Sequence, residues 1–125
     1  MRLLLDTHVL LWFLNDDAQL TGRARSLMLS AEEIHVSSAS IWEIAIKAKL
    51  GKLKADPDEV LQAIEENGIL ELPISNRHAI AGGTLPLHHR DPFDRLLIAQ
   101  AMLEQMRFLT SDSGLRAYSD LVECV

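Results

Sequence analysis

Hydrophobic positions along the chain alternate between short uninterrupted runs and longer segments in which apolar residues recur at helical spacing. Short apolar runs are typical of strands buried on both faces of a parallel sheet, and helical spacing is typical of helices packed against it. The runs predict five strands, at residues 3–5, 34–38, 69–74, 108–110 and 121–125.

Helix-capping signals separate these runs. Ser, Thr or Asp followed by a helical pattern, and Asp followed by Pro, are typical helix starts. Gly51 and Gly68 suit the position just after a helix end. The expected helix starts are His8, Thr21, Ser40, Asp56, Ser75 and Asp91. Strands alternating with helices predict a three-layer α/β fold, with a mainly parallel central sheet flanked by helices, in a single domain over residues 1–125.

Composition narrows the function classes. The chain has 125 residues, of which 48% are hydrophobic and 24% charged, as expected for a globular domain. A formal net charge of −6 argues against a general nucleic-acid coat, but not against an enzyme that gathers acids in one cleft. Cys124 is the only cysteine, which fits a reducing compartment. Asp6 and His8 interrupt the apolar N-terminal run, so we expect a cytoplasmic protein without a membrane segment.

Four acids fall where such a sheet would bring them together. Asp6 and Asp112 directly follow the strands 3–5 and 108–110, and Glu43 and Asp94 fall in the expected first turns of helices. Ligands of parallel sheets bind outside the carboxyl ends of the strands, near helix N-termini. Crowded carboxylates raise one another's pKa unless a cation neutralises them. Oxygen ligands favour Mg²⁺ or Mn²⁺, whose usual chemistry is on phosphates.

Each acid also has a simpler explanation as a helix cap. Ser40 and Glu43 match the S-x-x-E capping box, and Asp112 can cap a short following helix. Asp91 lies before Pro92 and is the natural N-cap, which leaves Asp94, three residues into the helix, free to point into the cleft. Asp6 lies between two apolar runs, where an unpaired charge is costly. One metal site would explain all four acids together.

Basic residues near the acids are candidates for RNA phosphate contacts. Lys47, Lys49 and Arg95 are the principal ones, supported by Lys52, Lys54 and Arg90. The alternative is a solvated helix end whose lysines complement the helix dipole. His88 and His89 have no cysteine or third ligand at zinc-site spacing, which favours an ordinary pair of loop histidines. Trp12 and Trp42 are interpreted as core or interface residues.

Four segments carry a resemblance that covers essentially the whole chain. They are LLLDTHVLLWFL, SSASIWEIAIKAKLGKL, HRDPFDRLLIAQA and FLTSD, in this order. In them the chain resembles PIN-domain ribonucleases, and within these the VapC-type toxins of type II toxin–antitoxin pairs. The family's four acids fall on Asp6, Glu43, Asp94 and Asp112. At the third, Asp91 is the alternative, because alanine follows Asp94 one residue later than the family pattern has it.

The resemblance implies an endoribonuclease that depends on Mg²⁺ or Mn²⁺. The metal ligands would be Asp6, Asp94 and Asp112, with Glu43 as a ligand or as a positioner of water, and the products would carry a 5′-phosphate and a 3′-hydroxyl. It also implies a cognate antitoxin that covers the acids, and a toxin homodimer.

Two other functions remain open at the level of sequence. A phosphatase of the haloacid-dehalogenase type would use Asp6 as a covalent nucleophile, but Asp6-Thr7-His8 lacks the second aspartate of its D-x-D motif. A non-catalytic interaction module would keep the PIN fold and use the acids only as caps. The sequence retains all four acids, which favours the nuclease.

Overall fold

The computed structural model describes all residues, 1–125, as five strands, six α-helices and one short 3₁₀ helix. In chain order these are β1 (Arg2–Leu5), α1 (Thr7–Leu14), α2 (Gly22–Ser30), β2 (Glu33–Ser37), α3 (Ser38–Lys49), α4 (Pro57–Glu66), β3 (Leu70–Leu72), α5 (Asn76–Thr84), α6 (Pro92–Glu104), β4 (Arg107–Thr110), the 3₁₀ helix (Ser113–Ala117) and β5 (Val122–Cys124). No helix has both the length and the apolar character that crossing a membrane would require.

The strands form one sheet in the order β3-β2-β1-β4-β5, and every neighbouring pair is parallel. Side chains alternate between the two faces of the central strand. Leu3 and Leu5 belong to a core with α1, α2 and α4, whereas Leu4 belongs to a core with α6. The predicted α/β fold with helices on both sides of a parallel sheet is therefore confirmed.

The order of the strands creates a crevice beside β1. β1 pairs with β2 on one side and with β4 on the other. The sheet therefore extends from β1 through β2 to β3 in one direction, and through β4 to β5 in the other. Such a point, at the carboxyl ends of the strands, is the usual ligand site of an open α/β sheet. Asp6 follows β1, and Asp112 lies two residues after β4, so both lie at this edge.

One helix start differs from its prediction. Ser37, not a later serine, is the N-cap, and its hydroxyl accepts a hydrogen bond from the backbone N–H of Ala39 at 3.0 Å. Ser40 is therefore inside α3, and Glu43 lies beyond the first turn, so the predicted Ser40–Glu43 capping box is wrong. Elsewhere, β3 is only three residues long, and α5 continues through its two glycines to Thr84.

The two glycines of α5 offer a test of how closely α5 packs against α6. A Cβ on Gly82 would lie 3.3 Å from the Cα of Leu96, whereas a Cβ on Gly83 would meet nothing within 4 Å. We expect Gly83→Ala to raise the free energy of unfolding by about 0.5 kcal/mol through helix propensity. Gly82→Ala should lower it by about 1–2 kcal/mol, because backbone must move. Urea denaturation of both variants measures the difference; equal effects would contradict the packing argument.

Candidate active site

Asp6 lies at the end of β1 and caps α1. Its Oδ1 accepts a hydrogen bond from the backbone N–H of Val9 at 2.8 Å, and its Oδ2 accepts one from the hydroxyl of Thr110. Only 4% of the residue is exposed. Burial raises the pKa of the Asp6 carboxyl above its ordinary value, although these hydrogen bonds oppose the change. A charge at this position is therefore costly without a nearby cation.

Glu43 is buried on α3 and is held by two side chains. The hydroxyl of Thr7 donates to its Oε1 at 2.7 Å, and the ammonium of Lys47 donates to its Oε2 at 2.8 Å. Ser40 extends this group through a 2.9 Å hydrogen bond between its hydroxyl and that of Thr7. The hydrogen bond to Glu43 raises the pKa of Lys47. Glu43 thus faces the start of α1 and does not cap its own helix.

Asp91 and Asp94 both lie at the start of α6, and the predicted cap at Asp91 is confirmed. Asp91 is the N-cap, and its Oδ1 accepts a hydrogen bond from the backbone N–H of Phe93 at 2.9 Å. Asp94 lies in the first turn. Its pKa is raised to about 7, first by burial and then by the charges of Asp91 and Asp6, with Glu43 adding to the effect and His89 opposing it. The negative charges of three neighbouring acids thus all raise the pKa of Asp94.

Asp112 caps the 3₁₀ helix and also lies close to Asp94 and His89. Its Oδ1 accepts a hydrogen bond from the backbone N–H of Gly114 at 2.9 Å, at the start of the 3₁₀ helix. Its other oxygen, Oδ2, lies 2.7 Å from Nε2 of His89. The backbone N–H of Asp112 donates to the hydroxyl oxygen of Thr110 at 3.0 Å. Because Thr110 also contacts Asp6, it links the acids that follow β1 and β4.

His89 is the site residue that the sequence did not identify. One ligand atom each from His89, Asp94 and Asp112 lie within 4.8 Å of one another, a spacing compatible with a single metal ion. His89 therefore has contacts with the acids that its interpretation as an ordinary loop histidine did not include. The His88 ring instead packs on Tyr118, with 5.0 Å between the ring centroids.

The predicted site residues do not all occupy one compact cluster. Asp94 and Asp112 are close together, whereas Asp6 and Glu43 act on Asp94 through their charges while their oxygens are bonded to other protein groups. Lys47 lies beside Glu43 and, with Lys52, lines a cavity of about 290 Å³ at the start of α1. Lys49 is exposed on the last turn of α3. Arg95 is partly buried, and its Nε has no hydrogen-bond partner.

The donor set fits a hard divalent cation. Carboxyl groups at this edge of the sheet offer oxygen atoms to a cation. The pKa of Asp94 is raised first by burial and then by the charges of nearby acids, which a cation would offset. The residues in position to hold such an ion are Asp94 and Asp112, with Asp6 and Glu43 beside them. Oxygen ligands of this kind suit Mg²⁺ or Mn²⁺ better than zinc.

Residues 3–121 match the protein family described as PIN domain. A comparison with curated protein sequences gave no match. Similar solved structures include VapBC2 from Rickettsia felis bound to a DNA fragment from their promoter (16% identity, TM-score 0.72, covering 99% of this chain and 98% of that chain). DNA-bound VapBC from Salmonella typhimurium has 17% identity and a TM-score of 0.70, over 99% and 98% of the two chains. A toxin–antitoxin complex from Klebsiella pneumoniae has 17% identity and a TM-score of 0.67, over 96% and 94%.

Proposed function

We propose a function from the premise that this chain belongs to the PIN domain family: it is a Mg²⁺- or Mn²⁺-dependent endoribonuclease and the toxin of a toxin–antitoxin pair. The observation that carries the proposal is the environment of Asp94, whose pKa is raised to about 7 by burial and by the surrounding acids. A carboxyl held in this state is poised to exchange its proton for a cation. Helix capping alone would not explain why these carboxyl groups lie near one another.

Each acid has a role in this proposal that follows from its contacts. Asp94 and Asp112 present oxygens to the ion, and Asp6, fixed by Val9 and Thr110, holds a third carboxylate nearby. Glu43, fixed by Thr7 and Lys47, would bind the ion or orient a water through its remaining lone pairs. The ion, when bound, activates water and offsets the charge that develops on the phosphate.

These contacts also favour the nuclease over a phosphatase with a covalent aspartate. Both oxygens of Asp6 accept hydrogen bonds from the protein, one from the backbone of α1 and one from Thr110. Hydrogen bonds to a carboxylate oxygen hold it in place and lower its nucleophilicity towards phosphorus. Asp6 is therefore better placed as a fixed anion than as a nucleophile.

The decisive experiment is cleavage of a mixed cellular RNA pool by the purified chain in Mg²⁺, in Mn²⁺ and in EDTA. We expect cleavage with either metal, none in EDTA, and fragments with 5′-phosphate ends. Cleavage that persists in EDTA would exclude the metal mechanism. A folded chain that binds Mn²⁺ but leaves every RNA intact would count against RNA as the substrate. A chain that neither cleaves nor binds Mn²⁺ would favour the non-catalytic module.

The lysines beside the cavity give a prediction about RNA affinity. Lys47 and Lys52 line the cavity next to Thr7, whereas Lys54 lines a different cavity between α1 and α4. Since each phosphate contact to single-stranded RNA contributes about 0.7 to the slope of log K against log salt concentration, Lys52→Gln should reduce that slope by about 0.7. The sequence also made Lys54 a candidate, but because it lines this other cavity, Lys54→Gln serves as the matched control and should leave the slope unchanged. Binding titrations at several salt concentrations measure the slope for each variant. Equal slopes for Lys52→Gln and Lys54→Gln would show that Lys52 does not contact an RNA phosphate.

The proposed protein partners are an antitoxin and a second copy of the toxin. The similar structures from three bacteria are VapBC or toxin–antitoxin complexes by their own descriptions. This chain has large exposed apolar side chains, among them Leu29, Trp42 and Leu87. Trp12, in contrast, packs against the core. Co-expression with a candidate antitoxin should yield a stable complex in which RNA cleavage is suppressed.

A further inference from the structure

His89 is held in one orientation by Asp91 and by Tyr118. Its ring Nδ1 lies 3.1 Å from the backbone nitrogen of Asp91, and its own backbone N–H donates to the hydroxyl oxygen of Tyr118 at 2.9 Å. The hydroxyl of Tyr118 in turn donates to the carbonyl of Pro86 at 2.7 Å. Asp91 thus fixes the ring of His89, and Tyr118, anchored on Pro86, fixes its backbone.

The contact with Asp91 fixes the tautomer of His89. A backbone N–H can only donate, so Nδ1 must accept with its lone pair, and the proton of the neutral ring is on Nε2. That Nε2–H faces Oδ2 of Asp112 at 2.7 Å, a normal donor–acceptor distance, and Oδ2 of Asp94 at a longer 3.7 Å. A nitrogen that bears a proton cannot bind a metal ion. To become a ligand, the ring would have to move its proton to Nδ1 and lose the hydrogen bond from Asp91.

We infer that His89 is a positioning residue, which holds the Asp112 carboxylate through its Nε2–H and does not itself bind the metal. The inference rests on the proposed metal site in so far as Asp112 is a ligand. The result is that Asp112 is fixed from two sides, since Gly114 donates to Oδ1 and His89 to Oδ2. These two hydrogen bonds set the orientation of the carboxylate, and therefore the direction of the lone pairs that remain for the ion. Hydrogen bonds of this kind to a ligating carboxylate commonly change metal affinity by about 10- to 100-fold.

Gly114 shows how tightly this arrangement is packed. A Cβ at this position would lie 3.1 Å from Oδ1 of Asp112 and 4.0 Å from Cδ2 of His89. A side chain there would therefore press on the carboxylate that His89 holds. The close approach fits a site in which the orientation of Asp112 is set by its protein neighbours.

The first test uses the metal-free chain with ¹⁵N-labelled histidine. We expect the His89 signal, identified by its loss in His89→Gln, to show a protonated Nε2 and an unprotonated Nδ1. The opposite tautomer would overturn the inference. This readout needs no nuclease activity, so it is independent of the proposed function.

The second test compares metal affinities of variants, measured by titration with Mn²⁺ and with Co²⁺. Glutamine carries an N–H donor at nearly the same reach as Nε2, so His89→Gln should stay within about threefold of the unmodified chain for both ions. His89→Leu has no donor and should weaken both by the same factor, about 10- to 100-fold. Loss of an imidazole ligand would instead weaken Co²⁺ more than Mn²⁺, since imidazole suits later transition metals.

The outcomes separate this inference from the proposed function. His88→Gln is the matched control, and it should leave both affinities unchanged. A selective loss of Co²⁺ binding in His89→Gln would make His89 a ligand and overturn the inference, as would full affinity in His89→Leu. If the unmodified chain binds no Mn²⁺ at all, the proposed metal-dependent function fails, while the labelled spectra still decide whether His89 donates to Asp112.

Discussion

Asp6→Asn is expected to reduce metal-dependent RNA cleavage by about 10³-fold, which corresponds to roughly 4 kcal/mol of transition-state stabilisation. The substitution removes one negative charge from the acid cluster and keeps the shape of the side chain. The amide oxygen can still accept the hydrogen bond from the backbone of Val9, and the hydroxyl of Thr110 can turn to accept one from the amide nitrogen. The α1 cap is therefore retained, and the loss of activity is electrostatic.

The stability of the same variant provides an internal check. Burial raises the pKa of Asp6 in the folded chain above its unfolded value, so the folded chain binds this proton more tightly. The metal-free protein therefore loses stability as pH rises and Asp6 ionises. Asp6→Asn has no proton to lose, so at neutral pH without metal it should melt at a higher temperature than the unmodified chain. A lower melting temperature would mean that the lost cleavage reflects damage to the fold.

Asp16→Asn is the matched control for the cleavage assay. Asp16 is exposed after α1 and pairs with Arg25 at 2.9 Å, away from the acid cluster. Its replacement should leave cleavage unchanged. Cleavage by Asp6→Asn at the rate of this control would exclude Asp6 from the reaction.

Mn²⁺ is expected to stabilise the folded chain strongly at about pH 8 and weakly at about pH 5.5. The pKa of Asp94 is about 7 in the metal-free fold, compared with 3.8 for the ordinary carboxyl. Between these values the folded chain holds a proton that the unfolded chain has released, so metal-free stability falls as pH rises and the fall is complete above about pH 8. The cation competes with that proton, so its apparent affinity rises over the same interval.

The size of this effect follows from mass action. At a Mn²⁺ concentration about 100 times the dissociation constant, binding to the folded chain alone adds about 2.7 kcal/mol to the free energy of unfolding. Calorimetric melting with Mn²⁺ or EDTA at the two pH values measures it. Asp94→Asn should remove both the Mn²⁺ gain and its share of the pH dependence. A Mn²⁺ gain that is equal at both pH values would show that the ion does not displace the Asp94 proton.

The fold was accessible from the sequence because its local signals agree with one another. Buried strands, Asp-Pro helix starts and glycines after helix ends each specify a boundary, and Gly51 and Gly68 indeed adopt positive φ values of 73° and 69°. The placement of Asp6 after a buried strand was also predictable, because strand and helix patterns meet there. The proposed metal-binding roles of the acids stay predictions.

The errors arise where the sequence offers equivalent choices or where the contact is remote in the chain. Ser37, Ser38 and Ser40 are all acceptable caps, and only the hydrogen bond to Ala39 identifies Ser37. His89 meets Asp112 across 23 residues, through the packing of the 3₁₀ helix against the segment before α6. No local pattern encodes such a contact. The only available signal was the position of His89 two residues before Asp91.

The close packing of α5 on α6 makes the chemistry sensitive to a residue that touches none of the acids. Gly82 faces Leu96, which lies two residues after Asp94 on the same helix. A methyl group at Gly82 would push the first turn of α6 by a fraction of an ångström, and with it the carboxylate on which the charges converge. Misplacement of a reacting group by about 1 Å can cost about 10²-fold in rate. The alignment of Asp94 thus depends partly on how α5 packs against α6, and a substitution in α5 can change the rate while every acid is kept.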